Sequence, residues 1–192
     1  MNPFDQGYYT SKDLWEYGFK HIGENVQIAR NCTIIGIENI SIANNVRVDG
    51  GTTFACKSGS LTIGNYTHIG SGSFLACGAG ITLNDFCGLS QGVKIYSVSD
   101  DYSGKSLTNP TVPKEFLNVK ARSVTLHRHV IVGSGSVILP GCNIGEGTSV
   151  GALSLINKCL EEWSIYAGVP AKRLKSRSRK ILEIEKHFLC ET

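Results

Sequence analysis

A large apolar residue recurs every six positions along most of this 192-residue chain. These anchors fall into six sets of three, and the first four sets begin at positions 22, 42, 63 and 83, which are 20, 21 and 20 residues apart. The anchors are Ile22, Ile28, Ile34, Ile42, Val48, Phe54, Ile63, Ile69, Leu75, Leu83, Leu89, Ile95, Leu126, Val132, Ile138, Ile144, Val150 and Ile156. A repeat of fixed period is typical of solenoids, in which each repeat buries its apolar centre only against its neighbours. The spacing therefore predicts a stack of coils.

A second preference accompanies the anchors. The residue four positions after each anchor is small or β-branched at sixteen of the eighteen sites, and the exceptions are Glu38 and Leu160. Gly or Ala directly follows ten of the anchors, as at Gly64 and Gly145. This pattern predicts short strands with the anchor inside, a small residue in each sharp corner, and Gly where the backbone turns closely. Three such strands close a triangular coil, so we expect an all-β solenoid, whereas a β-sandwich would show period-two alternation.

The repeated hexad, [Leu/Ile/Val]-[Gly/Ala]-x-x-[small]-x, resembles the repeat of the hexapeptide-repeat acyltransferases. Clear copies begin at Ile63 (IGNYTH), Ile69 (IGSGSF) and Ile144 (IGEGTS). The resemblance covers about residues 22–175 and is nearest to the galactoside, maltose-type and polysaccharide-biosynthesis sugar acetyltransferases. It implies a left-handed parallel β-helix of about six triangular coils, a hand that the spacing alone does not give.

The two ends and one interruption depart from the repeat. The predicted organisation is an N-terminal helical cap over residues 1–21, an acyltransferase solenoid over 22–173 with a protruding loop at 99–123, and a C-terminal helix over 174–192. Thr10 or Ser11 before Asp13 is a helix-capping pattern. The interval between Ile95 and Leu126 is 31 residues, and a loop this long in a compact repeat is usually functional. The resemblance implies that this loop extends toward a neighbouring subunit.

Composition excludes several classes of protein. The seven cysteines are an odd number without a CxxC pair, and the first ten residues lack a basic start and an apolar signal core. No apolar stretch approaches the ~18 residues of a membrane span. A net charge of +3 is too small to indicate nucleic-acid binding. We therefore expect a cytoplasmic protein with reduced thiols.

The C-terminal part of the chain carries a candidate acyl-donor site. The segment YAGVPAK, from Tyr166 to Lys172, is similar to the segment that closes the coenzyme A site in sugar and xenobiotic acetyltransferases. The resemblance implies acetyl-coenzyme A (acetyl-CoA) as the donor, with a pantetheine groove and basic contacts to the phosphates. The implied groove residues are Ser134, Ala152, Asn157 and Lys158, and the implied phosphate contacts are Lys172 and Lys175. The surrounding cluster of six bases within residues 172–180 has a solvated helical face as its alternative interpretation.

The catalytic base is less clearly indicated. The related sugar acetyltransferases use a loop histidine as the base, and here Asp100 occupies that position, followed by Asp101. Two of the family's sugar-contacting positions fall on glycines, Gly70 and Gly78, so the acceptor pocket is not the galactoside one. His68 directly precedes an anchor and should face outward. We hypothesise that His68 meets Asp100 or Asp101 across a subunit interface, where the carboxylate orients the imidazole as base.

Other interpretations of these residues stay open. His68 is alternatively a surface histidine beside aspartates that only shape the loop. His127 and His129, which flank the return from the loop, are rival bases. A zinc-binding, carbonic-anhydrase-like hexapeptide protein would need three converging histidines, and a non-catalytic member would need none; no metal is expected for an acetyltransferase.

The sequence therefore favours an acetyl-CoA-dependent O-acetyltransferase that acts on a sugar or sugar-containing acceptor in surface polysaccharide or O-antigen biosynthesis. The alternative is an N-acetyltransferase of a nucleotide-linked deoxyamino sugar, because a neutral amine is a better nucleophile than a hydroxyl. The expected partners are a sugar or nucleotide sugar and two further copies of the chain, since the resemblance implies a homotrimer.

Overall fold

The computed structural model describes residues 4–191, in which short strands dominate. In chain order the strands are β1 (Tyr8–Thr10), β2 (His21–Ile22), β3 (Gln27–Ala29), β4 (Thr33–Ile35), β5 (Ile40–Ile42), β6 (Arg47–Val48), β7 (Thr53–Ala55), β8 (Leu61–Ile63), β9 (His68–Ile69), β10 (Phe74–Ala76), β11 (Ile81–Leu83), β12 (Gly88–Leu89), β13 (Lys94–Tyr96), β14 (Val98–Ser99), β15 (Lys120–Ala121), β16 (Val124–Leu126), β17 (Ile131–Val132), β18 (Val137–Ile138), β19 (Asn143–Ile144), β20 (Ser149–Val150), β21 (Leu155–Ile156), β22 (Ser164–Ala167) and β23 (Lys172–Ser176). The α-helices are α1 (Ser11–Leu14) and α2 (Ile181–Glu191), and 3₁₀ helices span Ile37–Asn39 and Lys114–Phe116.

Three parallel sheets form the faces of a triangular prism. The first face stacks β2, β5, β8, β11, β16 and β19; the second stacks β3, β6, β9, β12, β17, β20 and β22; the third stacks β4, β7, β10, β13, β18 and β21. Each coil gives one strand to each face, so the described chain makes six complete coils before β22. The predicted all-β solenoid, a left-handed parallel β-helix, is confirmed.

The anchors fill the interior of the prism. Seventeen of the eighteen are buried, and Ile34 in the first coil is partly buried. Anchors stack in register between coils, as Leu75 does on Phe54 and on Ile95. Because each buried aliphatic side chain contributes roughly 1.5–3 kcal/mol, this continuous core replaces the central core of an ordinary domain.

The corners follow two rules rather than the single predicted one. At the first and second corners of coils two to six, the residue four positions after the anchor is buried, as Thr67 and Ser73 are. At the third corner of the longer coils the extra residues move the interior position, so Cys56 and Cys77, two positions after the anchor, are buried while Ser58 is exposed. This shift explains why Glu38 departs from the pattern.

The outer surfaces of the faces differ in chemistry. Outward residues of the first face are polar, and they are His21, Ser41, Thr62, Thr82, Thr125 and Asn143. Outward residues of the third face are mainly apolar and include Ile35, Ala55, Phe74, Tyr96, Val137 and Leu155. The first face is therefore suited to exposure to solvent, whereas the apolar third face is suited to packing against another protein surface.

The N-terminal end is capped by the predicted turn of helix, with an added strand. The backbone N and Oγ1 of Thr10 both donate to Asp13 Oδ2, at 2.7 and 2.9 Å. Leu14 is buried and closes the first coil. Strand β1, which the sequence did not predict, pairs antiparallel with β3.

The C-terminal end differs from the prediction of a helix over residues 174–192. Strand β23 pairs antiparallel with β22, and α2 begins only at Ile181. The physical reason is that β22 ends the second face, so its free backbone edge takes a further strand as partner. Residues 1–3 and 192 of the predicted caps lie outside the described residues.

The long loop leaves the third corner between β13 and β16. Its two ends form an antiparallel pair, in which Val98 aligns with Ala121 and Ser99 with Lys120. The coils continue past the loop undisturbed, since β11 pairs directly with β16. Across residues 4–191, no helix has the length and apolar character needed to cross a bilayer.

Candidate functional site

A cavity of about 1140 Å³ opens between the base of the long loop and the third face. Val98 and Val119 wall it on the loop side, and Val137, Leu139 and Pro140 wall it on the solenoid side. Apolar walls lower the local dielectric, so any charged group in the cavity interacts more strongly with a ligand than it would in water.

Charged and aromatic groups converge on this apolar cavity. Its polar lining includes Asp100, Lys120, Arg122, Asn157, Tyr96 and Tyr102. One carboxylate and two cations in a single cavity can bind a ligand that carries a cationic amine and an anionic group together. The two tyrosine rings offer apolar faces to the rest of such a ligand.

The two neighbouring aspartates have different surroundings. Asp100 lines the cavity, whereas Asp101 is buried and turned into the loop. Asp101 accepts hydrogen bonds from the backbone N of Ser103 at 2.9 Å, from Ser103 Oγ at 2.8 Å and from Ser106 Oγ at 3.0 Å. These bonds, the backbone one first, lower the pKa of Asp101. The sequence offered the two aspartates as equivalent partners for His68, but only Asp100 faces the cavity, because Asp101 is committed to holding the loop in shape.

His68 faces outward on the second face, and its partner is Asp49 of the preceding coil. The distance from His68 Nε2 to Asp49 Oδ2 is 2.8 Å. Asp49 also accepts from Arg47 Nε at 2.8 Å and from the Tyr8 hydroxyl at 3.0 Å. Burial raises the pKa of Asp49, but hydrogen bonds from His68, Arg47 and Tyr8 outweigh it, so the pKa is lowered.

Sequence reasoning missed Asp49, although the register carried a signal for it. Val48 and Ile69 are the second-face anchors of successive coils, and their pairing aligns Arg47 with His68 in adjacent strands. Asp49 follows Val48 on the same face and is diagonal to His68, within reach of a long side chain.

Within one chain His68 does not meet Asp100. His68 lines a separate cavity of about 510 Å³ with Arg47, Asp49 and Tyr66 on the second face. The hypothesised pairing of His68 with Asp100 therefore requires a second copy of the chain.

His129 is not an accessible base. It is 3% exposed, its ring stacks on Phe86 at 5.1 Å, and its Nε2 lies 2.8 Å from Glu185 Oε2 on helix α2. Burial, followed by the charge of Arg128, lowers the pKa of His129. Nor do the histidines gather: the described residues contain no group of three or more His, Cys, Asp or Glu that could hold a metal ion.

The six residues implied for the acyl donor lie in three places along the C-terminal coils. Ser134 and Ala152 occupy the second corner of successive coils, and Ser134 Oγ donates to Gln91 Oε1 at 3.2 Å. Asn157 and Lys158 lie exposed beyond β21, where Asn157 shares the cavity of Asp100. Lys172 and Lys175 lie on β23.

The basic cluster divides into fixed arginines and uncommitted lysines. Arg173 Nε donates to Ser164 Oγ at 3.0 Å, and Arg177 donates to the carbonyl oxygens of His129 and Gly147 at 2.8 and 3.0 Å. Lys172 and Lys175 are exposed and form no ion pair with any residue from 4 to 191. The arginine side chains are therefore held in place, whereas the lysine ammonium groups are free to move onto an anionic ligand.

Comparison with known proteins gives relatives over most of the chain. The chain is 39% identical over 181 residues to the dTDP-4-amino-4,6-dideoxy-D-glucose acyltransferase of Escherichia coli. This alignment covers 94% of each of the two chains. It is 26% identical to the putative lipopolysaccharide biosynthesis O-acetyl transferase WbbJ of Escherichia coli K12, over 76% of this chain and 80% of that one. No protein-family model matches.

Among solved structures, AntD of Bacillus cereus superposes with a TM-score of 0.93 at 41% identity, covering 97% of this chain and 98% of that one. That protein is an N-acyltransferase, solved in complex with dTDP and 3-hydroxybutyryl-CoA. A serine-to-cysteine variant of it, with a TM-score of 0.94 at 40% identity over 98% of this chain and all of that one, was solved with dTDP-4-amino-4,6-dideoxyglucose and coenzyme A.

Proposed function

Because the chain belongs to the hexapeptide-repeat acyltransferases, we propose that it transfers an acyl group from acetyl-CoA to the amine of a nucleotide-linked deoxyamino sugar. The E. coli and B. cereus relatives, which match over nearly the whole chain, act on or bind such a sugar. The amine alternative thereby takes precedence over O-acetylation, which the sequence favoured narrowly.

One observation carries this proposal: Asp100 stands in an apolar-walled cavity beside Lys120 and Arg122. An amino sugar linked to a nucleoside diphosphate carries one cationic amine and a strongly anionic diphosphate. Asp100 holds the amine, and Lys120 and Arg122 hold the diphosphate. A hydroxyl acceptor carries no positive charge, so Asp100 would have no cation to bind.

The reaction forms an amide and releases a thiol. Before the attack the bound ammonium gives up one proton and becomes the neutral amine. Its nitrogen then attacks the thioester carbonyl carbon, the carbon–sulfur bond breaks, and a second proton passes from the nitrogen to the departing sulfur, so that coenzyme A leaves as the thiol. Asp100 accepts a hydrogen bond from the amine and orients its lone pair toward the carbonyl.

His68 of a neighbouring subunit is the proposed proton acceptor. In this proposal the Asp49 carboxylate accepts a hydrogen bond from His68 Nε2, which lies 2.8 Å from Oδ2, and the lone pair of Nδ1 takes the proton. The second face carries His68 and the loop carries Asp100, so a second copy must bring them together. The apolar third face favours a homotrimer, because a trimer covers one flank of each prism.

The acyl donor lies along the C-terminal coils in this proposal. Ser134 and Ala152 line the pantetheine arm at the second corner, Asn157 and Lys158 line it beyond β21, and Lys172 and Lys175 bind the phosphates. The uncommitted ammonium groups on β23 support the phosphate contacts.

The experiment follows thiol release from acetyl-CoA with dTDP-linked 4-amino and 3-amino sugars and with free hydroxyl sugars. We expect release with an amino sugar and none above background with hydroxyl acceptors. Asp100→Asn should lower kcat/KM for the amino sugar about 100-fold, while Glu115→Gln, elsewhere on the loop, should not change it. Turnover of hydroxyl acceptors alone would return the assignment to O-acetylation.

A further inference from the structure

Leu153 has a backbone conformation that glycine adopts at the equivalent position of the four preceding coils. Its φ is 55°, in the left-handed region that L side chains avoid. Four preceding coils place glycine at the equivalent position of the second corner, with φ between 68° and 71°: Gly51, Gly72, Gly92 and Gly135. A leucine here therefore costs free energy that a glycine would not.

Burial does not offset that cost. The Leu153 side chain folds over Gly135, where a Cβ would lie only 2.8 Å from Leu153 Cδ2, yet Leu153 remains 73% exposed. Trp163 is the contrasting case, since it also has a positive φ but is 6% exposed and packs over Gly147. A strained, exposed apolar residue is a feature that function explains better than stability.

Leu153 lies inside the proposed acyl-donor groove. It directly follows Ala152, and its backbone N donates to the carbonyl oxygen of Ser134 at 2.8 Å. In the next coil Tyr166 aligns with Val150, so Val169 takes the equivalent position, and it is 72% exposed.

The side chains at the C-terminal end of the solenoid change in character from coil to coil. Ser134 and Gly135 lie at the second corner of the fifth coil, Leu153 and Val169 take the equivalent positions in the next two turns, and the lysines of β23 come last. Coenzyme A has the same order, because its thiol end carries slender amide-linked methylenes, its middle carries a branched dimethyl carbon, and its far end carries phosphates. An exposed leucine matches the branched apolar segment.

We propose that Leu153 is a positioning residue for the acyl donor, whose side chain packs against the branched dimethyl segment of the pantetheine arm. The proposal rests on the donor groove of the proposed function. It gives the strained backbone a role: the left-handed turn directs the side chain over Gly135, onto the path of the arm.

Calorimetric binding of coenzyme A to the full chain tests this without any sugar acceptor. Leu153→Gly and Leu153→Ala should each weaken the affinity about ten-fold. Leu153→Gly should leave Tm unchanged or raise it, because glycine relieves the strained φ. Asn25→Gly, at a left-handed position of the first corner with φ 53°, should bind coenzyme A like the unaltered chain.

A shorter ligand separates positioning from damage to the fold. Adenosine 3′,5′-bisphosphate keeps phosphates but lacks the arm, so Leu153→Gly should bind it normally. In turnover, the KM for acetyl-CoA should rise while the KM for the amino sugar stays within two-fold. Unchanged affinity for coenzyme A, or equal weakening of both ligands, would overturn the proposal. If the unaltered chain failed to acylate amino sugars, that result would contradict the proposed acceptor. The comparison of coenzyme A affinity between the unaltered chain and the Leu153 variants would still be valid.

Discussion

His68 Nε2 lies 2.8 Å from Asp49 Oδ2, so the imidazole has a carboxylate partner from the adjacent coil of its own chain. If His68 accepts the amine proton, His68→Asn should lower kcat by roughly 10²–10⁴-fold with little change in either KM. Asp49→Asn should lower kcat by a smaller factor, because the imidazole remains. Steady-state kinetics check both, with exposed His21→Asn as the control. A defect in His127→Asn without one in His68→Asn would assign the base to His127.

Asp49 also predicts how stability depends on pH. Its pKa is lowered in the folded chain, so its contribution is present above the unfolded value of about 3.9 and is lost as pH falls through the folded value. Asp49→Asn should be less stable than the unaltered chain by about 1 kcal/mol at pH 7. Urea unfolding should show this gap closing below about pH 4. A gap that persists at low pH would mean that packing, not charge, causes it.

The phosphate end of the donor site depends on two lysines. Replacing both Lys172 and Lys175 by Ala should raise the Kd for coenzyme A about ten-fold or more, because two charge-assisted contacts are lost. Added salt should weaken binding to the unaltered chain more than to the variant. The double variant Lys20→Ala with Lys186→Ala, at exposed positions outside β23, provides the matched loss of two charges. Equal effects of all these lysines would indicate general attraction rather than a site.

Two glycines at left-handed corners should differ in their tolerance of a methyl group. At Gly72 an added Cβ meets open space, so Gly72→Ala costs only the strained φ, about 1–2 kcal/mol. At Gly147 the same Cβ would collide with the indole of Trp163, which adds a further ~1–3 kcal/mol. The free energies of unfolding from urea titrations should separate the two variants by that amount. Similar values would mean that Trp163 moves aside freely.

Helix α2 is held by one buried carboxylate. Glu185 pairs with Arg128 and with His129, and its side chain is mostly buried. Glu185→Ala removes the carboxylate that faces Arg128 and His129, leaves Arg128 only its longer contact with Asp85 at 3.7 Å, and should cost about 2 kcal/mol. Glu183→Ala, on the exposed side of the same helix, should cost under ~0.5 kcal/mol. Hydrogen exchange should rise in α2 of the first variant and not in the second.

The fold could be predicted from the sequence because the solenoid repeats one local rule. Each anchor indicates the position of its own strand independently of the others. The two departures from the small-residue preference, Glu38 and Leu160, therefore left the rest of the pattern readable. The ends could not be predicted in the same way. β1 and β23 form because the terminal strands of the second face have free backbone edges, which no local pattern encodes.

The candidate site was less predictable, because side-chain partners depend on neighbours one coil away. Asp49 escaped notice since it is 19 residues from His68, although the register places it diagonally opposite. Asp100 and Asp101 are adjacent in sequence, yet only the hydrogen bonds from Ser103 and Ser106 separate a cavity residue from a loop residue.

All variation in coil length falls at the third corner, and the long loop leaves the solenoid there as well. Because β11 pairs directly with β16, the strand ladders run past the insertion as though it were not there. An exchange of this loop would remodel the cavity around Asp100 while Ser134 and Ala152 keep their register. The architecture thus allows two rates of change: the third corner can acquire new acceptor loops, whereas the ladders that hold Ser134 and Ala152 at the second corner stay fixed.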